Sequence, residues 1–101
     1  MDTFSGPFTL ERSPSGFTRV CGRSVYYPVD NQGAAELRSW TPGGGEEVLL
    51  RYHPLNDLPA GIYSQDENLP KYNLLDFQCG GGWLAIWTSE GQILAARDAH
   101  Q

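Results

Sequence analysis

Along most of the chain, apolar and polar residues alternate or fall in short blocks, the two-residue period of strands rather than the 3.6-residue period of helices. Phe8-Thr9-Leu10-Glu11-Arg12 alternates, and Phe17-Thr18-Arg19-Val20-Cys21 follows across Ser13-Pro14-Ser15-Gly16. Proline second and glycine fourth suit a type I turn, so these two runs predict a hairpin. Ser24-Val25-Tyr26-Tyr27-Pro28-Val29 is rich in β-formers. Pro28 has no N–H for a ladder, which predicts a sheet edge or a bulge there.

Asp30-Asn31-Gln32-Gly33 is a second turn. The residues after it, AAELRSW, are ambiguous: Ala34 to Arg38 are good helix formers, and Asp30 or Asn31 could cap them. A helix over 34–39 would span only about two turns, too short to stand without packing. A strand returning from the turn completes a hairpin with VYYPV, and that reading is preferred. Thr41-Pro42-Gly43-Gly44-Gly45 is a loop, and Val48 to His53 a strand that Pro54 stops. Asn56 to Gly61 reads as a turn before a brief strand at Ile62-Tyr63-Ser64, and 65–71 as an exposed loop.

A meander comes last. Tyr72 to Cys79 is a strand, Gly80-Gly81-Gly82 the turn, Trp83 to Thr88 the next strand, and Ile93 to Arg97 the last. With Glu90-Gly91 as a two-residue loop, Thr88 would face Ile93, Trp87 would face Leu94 and Ala85 would face Ala96. Both faces of this hairpin are then apolar over most of their length, as in a strand covered on both sides. The fold expected is all-β (or β-rich α+β): one domain over 1–101, a small antiparallel sandwich or barrel of about seven or eight short strands, with or without one short helix near 34–39.

Composition narrows the function classes. The chain has 101 residues, 40% hydrophobic, enough for a single core without metal. Twelve glycines and seven prolines fit many turns between short strands. Seven basic residues against twelve acidic ones leave a net charge of −5 with no basic cluster. That disfavours binding to nucleic acid or to an anionic membrane. No run approaches the ~18 apolar residues of a membrane span. The start, MDTFSGPFTLERSP, carries no export signal. Cys21 and Cys79 could form one bridge, but free thiols in a reducing cytoplasm, that of the host for a viral or phage product, are the preferred expectation.

Candidate chemistry is sparse. Cys21 or Cys79 with His53 or His100 could form a thiolate pair, and Gly80 to Gly82 an anion nest beside it, but no motif surrounds either cysteine. The ligand spacing matches no zinc pattern, and the acidic stretch with Asp57, Asp66 and Glu67 lacks a calcium-loop pattern. PGGGEE leads into two acids that would repel a phosphate. No catalytic residue, metal or cofactor is assigned.

Aromatic residues offer more. Trp83 and Trp87 fall on one strand face, and Trp40, Tyr26, Tyr52, Tyr63 and Tyr72 could join them. Such residues build cores, sugar platforms or partner hot spots. The expectation is a small acidic binding module without enzymatic activity, an inhibitor or accessory protein that docks on another protein through aromatics and a sheet edge. Homodimerisation is compatible with it. A carbohydrate-binding domain and a small Cys/His enzyme are the alternatives.

Overall fold

The computed structural model describes residues 4, 6–54 and 68–98. Seven strands are described: β1 (Arg19–Cys21), β2 (Ser24–Asn31), β3 (Ala34–Thr41), β4 (Gly45–Tyr52), β5 (Leu74–Gly80), β6 (Trp83–Thr88) and β7 (Ile93–Arg97). They form two antiparallel sheets, β1-β2-β3-β4 and β5-β6-β7, each a meander of consecutive strands. The all-β expectation holds, with no helix among the described residues and so none long and apolar enough to cross a membrane. The brief strand expected at Ile62-Tyr63-Ser64 and the turn at 56–61 lie outside the described residues.

Turn chemistry sets the registers. Gln32 and Gly33 both lie at positive φ, as do Gly81 and Gly82, the backbone that a two-residue hairpin loop of type I′ demands. These turns pair Asn31 with Ala34 and Gly80 with Trp83. The first explains why Ala34 to Thr41 is a strand despite its helix-forming composition: the tight turn delivers it directly onto β2 for seven paired positions. Pairing then buries Leu37 on one face and Glu36 on the other, a gain that outweighs local propensity.

Two turn expectations are corrected. Residues 8–12 form no strand, and Ser13 to Gly16 close no hairpin; this stretch instead lies across the first sheet. The Ser15 N–H donates to the Pro28 carbonyl at 2.8 Å, and Phe8 packs on Trp40 at 5.2 Å between ring centres. Pro28 sits within β2, but β1 is only three residues long and ends before reaching it. On that side Pro28 meets Ser15 and Gly16 rather than a strand, so its missing N–H breaks no ladder bond. In the last hairpin, the Thr88 N–H donates to Gln92 O and the Gly91 N–H to Thr88 O. The loop thus has three residues, with Gly91 at φ +74°, and the pairing slips by one from the expected register. Trp87 faces Ile93, not Leu94.

The sheets pack face to face. Tyr26 and Leu37 from the first meet Phe77, Leu84 and Ile86 from the second, with Cys21 beside them. Cys21 and Cys79 form a disulfide, their Cα atoms 5.8 Å apart, which overturns the expectation of free thiols. β1 and β5 are the strands of different sheets whose backbones come close, and the bridge lies there. Arg19 pairs with Asp76 at 2.9 Å across the same junction. The Tyr26 hydroxyl donates to the carboxylate of Asp98, just beyond β7, and so ties the two sheets together inside.

The opposite face of the first sheet carries a buried ionic network. Glu36, 1% exposed, accepts from Arg38 at 2.8 Å and from Arg51 at 2.7 Å. Arg38 also reaches Glu46 at 3.2 Å and Glu11 at 3.3 Å, so the N-terminal segment completes the cluster. Burial alone would raise the Glu36 and Glu46 carboxyls; the hydrogen bonds they accept (from the arginines for Glu36, from Arg38 and the Glu11 N–H for Glu46) outweigh it and hold both below the ordinary range. Their stabilisation is present above the unfolded glutamate value of about 4.3 and is lost as pH falls through the lowered folded values. Buried tyrosines act at the other end: burial pushes Tyr27 and Tyr52 up to about 12, and raises Tyr26 and Tyr72 too. Their contribution is complete below the unfolded value of about 10 and is lost as pH rises towards the folded ones. Denaturation midpoints against pH should thus form a plateau from about 5 to 10 with a fall on each side. A midpoint that stays level down to pH 3 would contradict the network.

Candidate functional site

The outer face of the second sheet is a three-by-three array fixed by the registers. β5 contributes Asp76, Gln78 and Gly80; β6 contributes Trp87, Ala85 and Trp83; β7 contributes Ile93, Ala95 and Arg97. The alternate residues Phe77, Leu84 and Ile86 point into the core. Trp83 and Trp87 are 46% and 38% exposed, and Ile93 is 62% exposed beside Trp87. Four residues apart on one strand, the two indoles stand about 13 Å from each other. Ala85 and Ala95 lie between them, so the centre of the face is a shallow apolar trough. Leu75, at an irregularity early in β5, adds another exposed apolar side chain.

Charged groups border this face. The Arg97 guanidinium lies over the Trp83 ring, 4.6 Å from its centre, an orientation that a cation–π contact favours. Asp76 at the far corner is held by Arg19. Two corners of the face, Asp76 and Arg97, are thus charged, and most of the rest is apolar.

The seven aromatic candidates do not converge on one platform. Trp83 and Trp87 share the outer face. Tyr26 is fully buried in the core, and Tyr52 and Tyr72 stack on one another at 4.8 Å, also buried. These three tyrosines are therefore removed from the candidate surface: burial of their rings builds the core. Trp40 is half-buried under Phe8 on the first sheet, where with Pro14, Val25 and Tyr27 it borders an apolar cavity of about 250 Å³. Tyr63 lies outside the described residues. Ile93, Ala95, Arg97 and Leu75 were not singled out from the sequence. The signal for the three β7 residues was Ser89-Glu90-Gly91, whose third-position glycine suits a three-residue loop and turns Ile93 to the side of Trp87.

Both cysteine sulfurs are in the bridge, so neither supplies a thiol to His53, and His100 lies outside the described residues. Gly81 and Gly82 are occupied as the β5–β6 turn. Among the described residues no group of three or more His, Cys, Asp or Glu is placed to hold a metal ion. Comparison of the chain with protein-family models, with curated proteins and with solved structures finds no match.

Proposed function

We propose that this domain is a non-enzymatic binding module that docks on another protein through the outer face of β5-β6-β7, as an inhibitor or accessory protein does. The supporting observation is the exposed pair Trp83 and Trp87 with Ile93 between charged borders, on a sheet whose inner face already supplies the core. Tryptophan, with tyrosine and arginine, is enriched among the residues that carry the binding energy of an interface. The stacked Arg97 favours this reading over a sugar platform, because a sugar ring would compete with the guanidinium for the Trp83 face.

The experiment compares capture of partners from the source cells by the wild-type domain and by a Trp83→Ala/Trp87→Ala variant, followed by direct titration. Both indoles are substantially exposed, so the variant is expected to fold. Affinity should drop by at least about thirtyfold, the loss typical of a hot spot. Equal binding by both proteins would sink the proposal, as would a variant that cannot fold. A tryptophan fluorescence response to a soluble glycan, absent from the variant, would favour the carbohydrate reading instead.

A further inference from the structure

β7 is exposed along its whole length. Its outward residues Ile93, Ala95 and Arg97 belong to the outer face, but the inward residues are uncovered too. Leu94 is 38% exposed, although it pairs with Ile86, which is 5% exposed in the core. Among the described strands, β7 touches β6 and no strand of the first sheet. An apolar strand open on both faces and along one edge is an unusual feature in a finished domain.

The other three edges are guarded. β1 has only three residues. β4 carries Glu46, Glu47 and Arg51 and is irregular opposite Leu37 and Arg38. β5 is irregular near Leu75 and is tied to β1 by the disulfide. Short strands, charges and bulges are the devices that keep edges from pairing. β7, Ile-Leu-Ala-Ala-Arg, has none of them except the terminal arginine.

Hydrogen-bond parity defines what this edge accepts. Asp98 N–H donates to Gly82 O and Thr88 N–H to Gln92 O, so the even-numbered positions of this strand are bonded to β6. The N–H and C=O groups of Ile93, Ala95 and Arg97 therefore point outward. An antiparallel partner must oppose outward residues with outward residues. A second copy of β7 does this when a twofold axis passes through Ala95, its middle residue. Ile93 then faces Arg97 of the other copy, and the edge closes with about six hydrogen bonds in the alternating antiparallel pattern.

Side chains agree with that register. Leu94 opposes Ala96 of the other copy on the inner side, large against small, and the two Ala95 methyls meet at the axis without crowding. Ile93 lies along the aliphatic stem of Arg97. Glu90 precedes the strand and Arg97 ends it, while the carboxylate of Asp98 is buried against the Tyr26 hydroxyl, so an antiparallel pair brings the exposed acid of each copy towards the exposed base of the other; a parallel pair would bring like charges together.

We propose that two copies of this chain associate through antiparallel β7–β7 pairing about Ala95, making a continuous six-stranded sheet. A five-residue edge buries well under the roughly 1,600 Å² of a standard interface, so the dimer is weak and concentration-dependent. The pairing uses the edge and leaves the tryptophans open, so this inference and the proposed outer-face function can fail separately.

The test is sedimentation velocity from low micromolar to millimolar protein, with amide exchange measured over the same range. The mass should double with concentration. Ile93, Ala95 and Arg97 amides should gain protection as it does, while Leu94 and Ala96 stay protected throughout. Ala95→Pro removes an outward N–H and spares the ladder to β6; Ala95→Lys places two like charges at the axis. Both variants should keep the wild-type circular dichroism and remain monomeric, whereas Trp83→Ala/Trp87→Ala should still dimerise. A wild-type monomer at every concentration overturns the proposal. So does a dimer whose Ile93, Ala95 and Arg97 amides still exchange freely, or a folded Ala95→Lys variant that dimerises as before.

Discussion

Glu36→Gln is expected to destabilise the domain by about 3 kcal/mol, the lower end of the cost of breaking a buried ion pair from one side. Glutamine keeps the shape and one acceptor but removes the charge that Arg38 and Arg51 share. Arg38 has a side chain only 6% exposed, so its guanidinium cannot recover solvent when that charge is lost. The remaining partners, Glu46 and Glu11, compensate in part, which keeps the loss from the top of the range. Arg51 is different: its side chain is 58% exposed and returns to water readily. Arg51→Ala should therefore cost less than about 1 kcal/mol, as surface pairs do. Urea denaturation of the two variants measures both numbers. Similar losses would mean that Glu36 is not the centre of the network.

Reduction of the Cys21–Cys79 bridge should cost about 4 kcal/mol, the loop-closure value for residues 58 apart in sequence. For a domain of this size that is a large share of the roughly 5–15 kcal/mol available. The location sharpens the expectation. The bridge joins β1 to β5, where the two sheets approach most closely, and the Arg19–Asp76 pair beside it is exposed and contributes little alone. Cys21→Ser/Cys79→Ser should melt at least 10 °C below the oxidised protein, from about 4–8 °C per kcal/mol. Thermal melts with and without reductant supply the same comparison on the unmodified chain. Coincident melting curves would show that the core holds the sheets without it.

Much of the architecture was legible in the residues, because turn chemistry is local. Asn31-Gln32-Gly33 and Gly81-Gly82 fix two hairpins from a few atoms each, and the strand at 34–41 follows from the first of them. The N-terminal segment misled for the same reason. Ser13-Pro14-Ser15-Gly16 satisfies a turn on local grounds, yet the long-range bonds from Glu11 and Ser15 to Glu46, Arg38 and Pro28 hold the chain across a sheet instead. The disulfide was hidden because nothing near Cys21 or Cys79 states which strands will face each other. At the candidate site, Trp83 and Trp87 were readable from alternation along β6. Their neighbours were not, since one residue of loop length decides which side of β7 lies beside them. Exposure of Leu94 was beyond reach from sequence altogether; it depends on how far the first sheet extends over the second.

The sheet order carries a consequence for how the molecule is made. Each ladder joins strands adjacent in sequence, β1 to β2 through β4 and β5 to β6 to β7. Local pairings of this kind form early and quickly. On a ribosome, the first meander can be complete before β5 has been synthesised, and the second can zip up by itself. Docking of the two sheets is what brings Tyr26 to Asp98 and Cys21 to Cys79.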